Sequence, residues 1–137
     1  MAVTFEWDTE RRLLRTVVSG RLSEEEMLDY IREVWKRPDR ADFDEIADYR
    51  ELDVSGISLS MLLKATQLST ELNRERKIYR VAFVVSGQLG FGIGRQYETF
   101  REATPTITRM FQSIEEAERW LQESRASRPP SPDRKEI

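Results

Sequence analysis

The chain has 137 residues, 34% of them charged, a net charge of −3, and neither His nor Cys. That is the size of one domain with a proper core; the acidic balance disfavours nucleic acid, and no apolar run approaches the roughly 18 residues of a membrane-spanning helix. Without His or Cys there is no thiolate nucleophile, no Ser-His-Asp triad, no His/Cys zinc site and no disulfide framework, so the cytoplasm is the expected compartment.

Val3, Phe5 and Trp7 alternate with polar residues, and Leu13 to Val18 is a second β-rich run. The polar link Asp8-Thr9-Glu10-Arg11 predicts an antiparallel hairpin, with Gly20 ending the second strand. The start, MAVTFEWDTERR, lacks the basic-then-apolar build of a secretory signal. Ser23 and Glu26 read as a capping box. Met27, Leu28, Ile31, Val34 and Trp35 follow at helical spacing until Pro38 stops the helix. Phe43 to Ala47 is a short strand interrupted by Asp44 and Glu45, ending in Asp48-Tyr49-Arg50 and a loop, ELDVSGIS. A second helix is expected from about Ser58 or Ser60 to Asn73, with Leu59, Leu62, Leu63, Leu68 and Leu72 as its apolar face.

The β-branched run Val81 to Val85 predicts a buried central strand, and it breaks into a glycine-rich loop. Four of the chain's six glycines, Gly87, Gly90, Gly92 and Gly94, fall in those eight residues. Ile93, Tyr97 and Phe100 then mark one face of a third helix, which opens with Arg95 and ends before Pro105. Ile107 to Phe111 is the last strand. Ser113 with Glu116 starts a fourth helix whose inward face is Ile114, Ala117, Trp120 and Leu121. Trp7, Trp35 and Trp120 read as packing residues. Residues 125–137 form a polar, proline-containing tail expected to be disordered, leaving 1–124 as one domain. The order ββαβαβαβα predicts an α/β fold with a mixed five-stranded sheet, antiparallel at the hairpin and parallel through the βαβ units, with four helices. Strand order stays open.

The third and fourth strands form one βαβ unit, so their C-terminal ends share an edge of the sheet. That edge would gather Asp48 and Arg50 with Gly92, Gly94, Arg95 and Tyr97, and with N–H groups at the start of the third helix. Two arginines, a glycine turn and a helix N-terminus suit a phosphate or carboxylate. Alternatively, Asp48 pairs with Arg50 or Arg95 and merely holds the loops. Gly90-x-Gly92-x-Gly94 is neither a dinucleotide fingerprint nor a P-loop; its glycines would bring the third helix close to the sheet. Ser55 precedes Gly56 on the way into the second helix. A phosphate there would meet the helix N-terminus or block a partner surface; equally, Ser55, Ser58 and Ser60 read as loop and N-cap serines. Ser127 and Ser131 are accessible tail serines. An enzyme with Asp48 as base and Tyr97 as donor finds no second carboxylate and no metal-ligand spacing to support it.

Taken together, Gly20, Asp48-x-Arg50, Val81-Ala82-Phe83-Val84-Val85, Phe91-Gly92-x-x-Arg95-x-Tyr97-Glu98, Phe111, Glu116-Ala117 and Trp120-Leu121 carry a family likeness. In order and spacing they resemble the SpoIIAA-like branch of the STAS superfamily, over residues 2–122. Its members resemble anti-sigma-factor antagonists and are also grouped with CRAL-TRIO lipid carriers. The resemblance implies a STAS-like fold with helices mainly on one side of the sheet. In the antagonists, an Asp-Ser-Ser-Gly loop before a helix is phosphorylated on its second Ser by a partner kinase. Asp53-Val54-Ser55-Gly56 keeps the Asp, that second Ser and the Gly, so Ser55 is the corresponding candidate.

The function expected from this is a non-enzymatic regulatory or protein-interaction module in a bacterial cytoplasm. It would act through the Ser55 loop, the second helix and the Arg50/Arg95 edge. Its partner would be another protein, such as a kinase or an anti-sigma-like protein, with a homodimer also open. The alternative is a small-ligand or lipid-binding module. An anionic headgroup would meet Arg50, Arg95 and the Gly92–Gly94 amides, with an acyl chain beneath the second and third helices. A cavity above ~300 Å³ there would favour it. No cofactor and no metal is expected.

Overall fold

Alternating apolar residues open the fold as a hairpin. In the computed structural model, which describes residues 2–126, β1 (Ala2–Asp8) pairs antiparallel with β2 (Leu13–Arg21), with Phe5 opposite Thr16. Arg12 turns the corner at a φ of 53°. Gly20 does not end β2: it takes a φ of 80°, in the left-handed region that favours glycine, and the strand runs on to Arg21. The capping box then forms as expected. Glu26 N–H donates to Ser23 Oγ and Ser23 N–H to Glu26 Oε1, both at 3.1 Å, which starts α1 (Glu24–Trp35).

The remaining elements are β3 (Asp44–Asp53), α2 (Leu59–Leu72), β4 (Arg80–Val84), α3 (Gly87–Arg101), β5 (Ile107–Phe111) and α4 (Ile114–Ala126). Short 3-10 turns at Arg40–Asp42 and Val54–Gly56 lead into and out of β3. α4 takes in residues 125 and 126, which were expected in the tail; Ser127, Ser131 and the rest of residues 127–137 lie outside the described residues.

The strands lie in chain order, β1-β2-β3-β4-β5, with every pair after the hairpin parallel. In a sheet that grows steadily in one direction, right-handed crossovers put every connecting helix on the same face. α1, α2 and α3 accordingly cover one face. Val18 and Leu52 pack there with Met27, Ile31, Met61 and Ala65, while Phe83 and Val85 meet Phe91 and Tyr97. α4 follows the last strand and connects to nothing in the sheet, so it is free to cover the other face. There Ala117 and Leu121 close over Leu13, Ile46, Ala82 and Val84. At the hairpin end Leu14 and Phe43 are fully buried, with Trp7 edge-on to Phe43 at 5.0 Å. Each such side chain is worth roughly 1.5–3 kcal/mol of burial.

Three expectations need correction. β3 is ten residues long, not five: it runs on past Ala47 to Asp53 alongside β2, and the acids that seemed to interrupt it are paired, Glu45 with Arg40 and Asp44 Oδ1 with Arg80 N–H at 2.9 Å. Asp48 and Arg50 therefore sit within the strand, not at its end. In the pairing with β2, Val17 faces Asp48 but Ser19 faces Glu51, so β3 holds one extra residue around Tyr49–Arg50. This bulge resets the alternation, and Glu45, Tyr49 and Leu52 all look towards the three helices.

The second correction concerns the glycines. They form no loop: α3 begins at Gly87, whose φ is 74°, and Gly90, Gly92 and Gly94 are helical. A Cβ on Gly94 would stand 2.7 Å from Met110 Sδ, so there the glycine does bring α3 close to the sheet. The third concerns α2. Its inward residues are Met61, Leu62, Ala65, Thr66 and Ser69, whereas Leu59 and Leu63 are 54% and 43% exposed.

Candidate functional site

The residues singled out at the sheet edge do not converge. Asp48 takes Arg50 in a two-pronged pair, Nε to Oδ1 and Nη2 to Oδ2, each 2.9 Å. Those hydrogen bonds hold the Asp48 carboxyl below the usual carboxylate range, against its partial burial. Alternation along β3 places Asp48 on the α4 side of the sheet with Ile46, while α3 lies on the opposite side. Arg95 is exposed in the body of α3, with its guanidinium 6.0 Å from the Phe91 ring. Gly92 and Gly94 lie too far into α3 to offer unbonded N–H groups, because only the first four are left over at a helix start. Of the six candidates, Gly94 and Tyr97 line the interior described below, and Asp48, Arg50, Gly92 and Arg95 do not.

Ser55 sits in the 3-10 turn ahead of α2, exposed. Asp53 Oδ1 accepts from both Ser55 N–H at 3.0 Å and Ser55 Oγ–H at 2.6 Å, and these bonds hold the Asp53 carboxyl below its ordinary value. The Arg21 guanidinium approaches the same turn, 3.4 Å from where Gly56 would carry a Cβ. Ser58, the N-cap, accepts from Met61 N–H at 3.2 Å.

The most unusual chemistry lies inside, between the sheet and helices α1 to α3. A cavity of about 100 Å³ is walled by apolar residues such as Met27, Ile31, Leu62 and Val81, together with Arg40, Glu45, Arg101 and four tyrosines. Arg40 and Glu45, 2% and 6% exposed, form one half of this polar interior. Arg40 Nη2 donates to Glu45 Oε1 at 2.6 Å and Nη1 to Phe43 O at 3.0 Å; Thr16 Oγ–H fills Glu45 Oε2 at 2.8 Å. The guanidinium also lies 4.4 Å from the centre of the Tyr79 ring.

Arg101, 5% exposed at the end of α3, forms the other half. Its Nη1 donates to the Tyr97 hydroxyl at 3.2 Å, its guanidinium lies 5.7 Å from the centre of the Tyr97 ring, the Tyr79 phenol is near enough to favour its charge, and Nε has no partner among the described residues. Burial opposes the charge, but the tyrosine oxygens outweigh it and Arg101 stays a cation. Tyr30 and Tyr49 share a 2.9 Å hydrogen bond, and burial pushes both phenols well above their ordinary value, so they remain protonated donors.

No protein-family model matches the sequence, and no curated protein does.

A second hollow, of about 290 Å³, lies on the α4 side between Arg11, Arg15, Asp44 and Glu118. Its Arg15 already faces Glu118 at 3.5 Å, so its charges answer one another. The interior cavity is well below the ~300 Å³ that would house an acyl chain with its headgroup, and has room for a compact molecule only. Among the described residues no cluster of acids could hold a metal, and no helix is long and apolar enough to cross a membrane.

Sequence reasoning missed Arg40, Glu45, Tyr79 and Arg101. One signal was available for Arg101. It stands four residues beyond Tyr97, which continues the stripe Gly90, Gly94, Tyr97 into the interior, where Phe100 had been expected.

Proposed function

We propose that this chain is a STAS-like regulatory module that works through protein contacts rather than chemistry, with the turn at Ser55 as its switch. The observation that carries the reading is the Asp53–Ser55 clasp on an exposed turn directly ahead of α2. Phosphate on Ser55 would place a near-dianion against Asp53, break that clasp by repulsion and turn towards Arg21. Leu59 and Leu63, one helical turn apart and both exposed, extend the surface along α2. The STAS-like part of the reading is supported by the hairpin-led mixed sheet with its three crossover helices on one face.

The test is partner capture from a native bacterial lysate by wild type, Ser55→Asp and Leu59→Lys/Leu63→Lys. The proposal expects a partner held by wild type and released by both variants, with melting temperatures unchanged. Capture of nothing by any form, or equal capture by all three, sinks it.

A second reading, a small-ligand module, is favoured by the interior cavity and its buried arginines. Its site is the space beneath α1 to α3, in place of the Arg50/Arg95 edge.

A further inference from the structure

The cavity wall carries three charged residues, Arg40, Glu45 and Arg101. The wall has one carboxylate for two guanidinium groups, and both of its oxygens are taken, by Arg40 and Thr16. The wall therefore keeps one positive charge with no negative partner among its residues. Buried charges are ordinarily paired, because taking an ion out of water unpaired is expensive.

Hydrogen-bond capacity is unbalanced in the same direction. A tyrosine hydroxyl that accepts from an arginine still has its own proton to give. Tyr97 is in that position beside Arg101, and Tyr79 lines the same wall. The Tyr30–Tyr49 pair shares one proton and has a second one left. Arg101 Nε and Arg40 Nε add two more N–H groups without an acceptor. Donors thus outnumber acceptors around an apolar space whose one surplus charge is positive.

We infer that this cavity is the binding site for a small organic monocarboxylate, its anionic end held by Arg101 with Tyr97 and Tyr79 and its apolar body beneath α1 and α2. The inference rests on the ligand-binding reading and names its site and ligand class. A planar carboxylate matches the guanidinium fork, takes up the phenol protons and supplies the missing charge. An apolar cavity near 150 Å³ holds benzene, so about 100 Å³ suits an acid smaller than a six-atom ring, such as propanoate, and excludes aromatic acids and fatty acyl chains. Phosphate, with more oxygens and no apolar body, would leave the rest of the wall unsatisfied.

Isothermal titration of the full chain with propanoate and acetate, beside their primary amides and inorganic phosphate, tests it. One-to-one binding of a carboxylate is expected, at least tenfold tighter than its amide and than phosphate. Arg101→Met should abolish it, Arg101→Lys should weaken it at least tenfold, and the exposed Arg74→Met should leave it unchanged. Should Arg101→Met fail to fold, Ala65→Leu narrows the cavity from α2 with Arg101 intact and must also remove binding. Amides binding as tightly as acids, or insensitivity to Arg101, would overturn the carboxylate assignment and leave a neutral-ligand site. Tighter phosphate binding would overturn it in favour of an inorganic anion. Binding of none of the probes would overturn both the inference and the ligand-binding reading.

Discussion

Arg40 and Arg101 are two arginines of nearly equal burial on the wall of one cavity, linked through Tyr79. Arg40 comes from a turn ahead of β3 and meets a carboxylate five residues on, together with a backbone carbonyl and two aromatic rings. Arg101 comes from the far end of α3 and meets the Tyr97 hydroxyl and ring but no carboxylate among the cavity's residues. The first arrangement is closed: its charge is neutralised within the chain and its role is to hold β3 to the turn before it. The second is open, since its charge is solvated but not neutralised. On the ligand-binding proposal, the difference separates an arginine that builds the fold from one left for a ligand.

Removing one member of the closed pair should have the largest effect. Glu45→Ala leaves Arg40 buried and uncompensated, and urea denaturation should show a loss of about 3–5 kcal/mol. A loss under about 1 kcal/mol would erase the contrast between the two arginines.

The register of α3, which turns Arg101 inwards, can be probed at its glycines. Gly94→Ala drives a Cβ into Met110 and should lose about 1 kcal/mol by thermal melting, the helix gain of Ala offsetting part of the overpacking. Gly92→Ala meets nothing within 4 Å and should gain about 0.5–1 kcal/mol. Equal effects at the two positions would place the helix in another rotation.

The pair of half-buried Asp48 and exposed Arg50 should matter least. Asp48→Asn should cost about 0.5–1 kcal/mol at pH 7. The folded-state pKa of Asp48 is lowered by Arg50, so its contribution is complete above the unfolded value near 3.9 and fades as pH falls through the lower, folded one. Denaturation of both proteins between pH 7 and pH 2 should therefore converge at the acid end, and a gap that widens on acidification would contradict the pairing.

Much of the framework was legible because its signals are local. The hairpin, the Ser23–Glu26 box, the parallel run of β3 to β5 and the inward face of α4 each depend on spacing within a few residues. The interior was not, because its signals cancel. Asp44 and Glu45 read as damage to a strand when the partner of Glu45 is Arg40 in the turn just before it and that of Asp44 is Arg80 N–H, on a strand β3 meets only in the fold. Four clustered glycines argue against a helix at about 1 kcal/mol each, and packing against β5 overrides them. Arg101 reads as an ordinary cation suited to a helix C-terminus. The bulge at Tyr49–Arg50, which sets which side chains of β3 reach the cavity, has no mark in the sequence. The Ser55 turn was visible as a motif, but the Asp53 clasp on it was not.

The stability of Arg101→Met in buffer free of organic acids tests the open arrangement most directly. If Arg101 has no counter-charge within the chain, replacing it with an apolar side chain of similar length should leave stability within about 1 kcal/mol of wild type, or raise it. A loss of about 3–5 kcal/mol, matching Glu45→Ala, would mean that Arg101 is paired inside the fold after all.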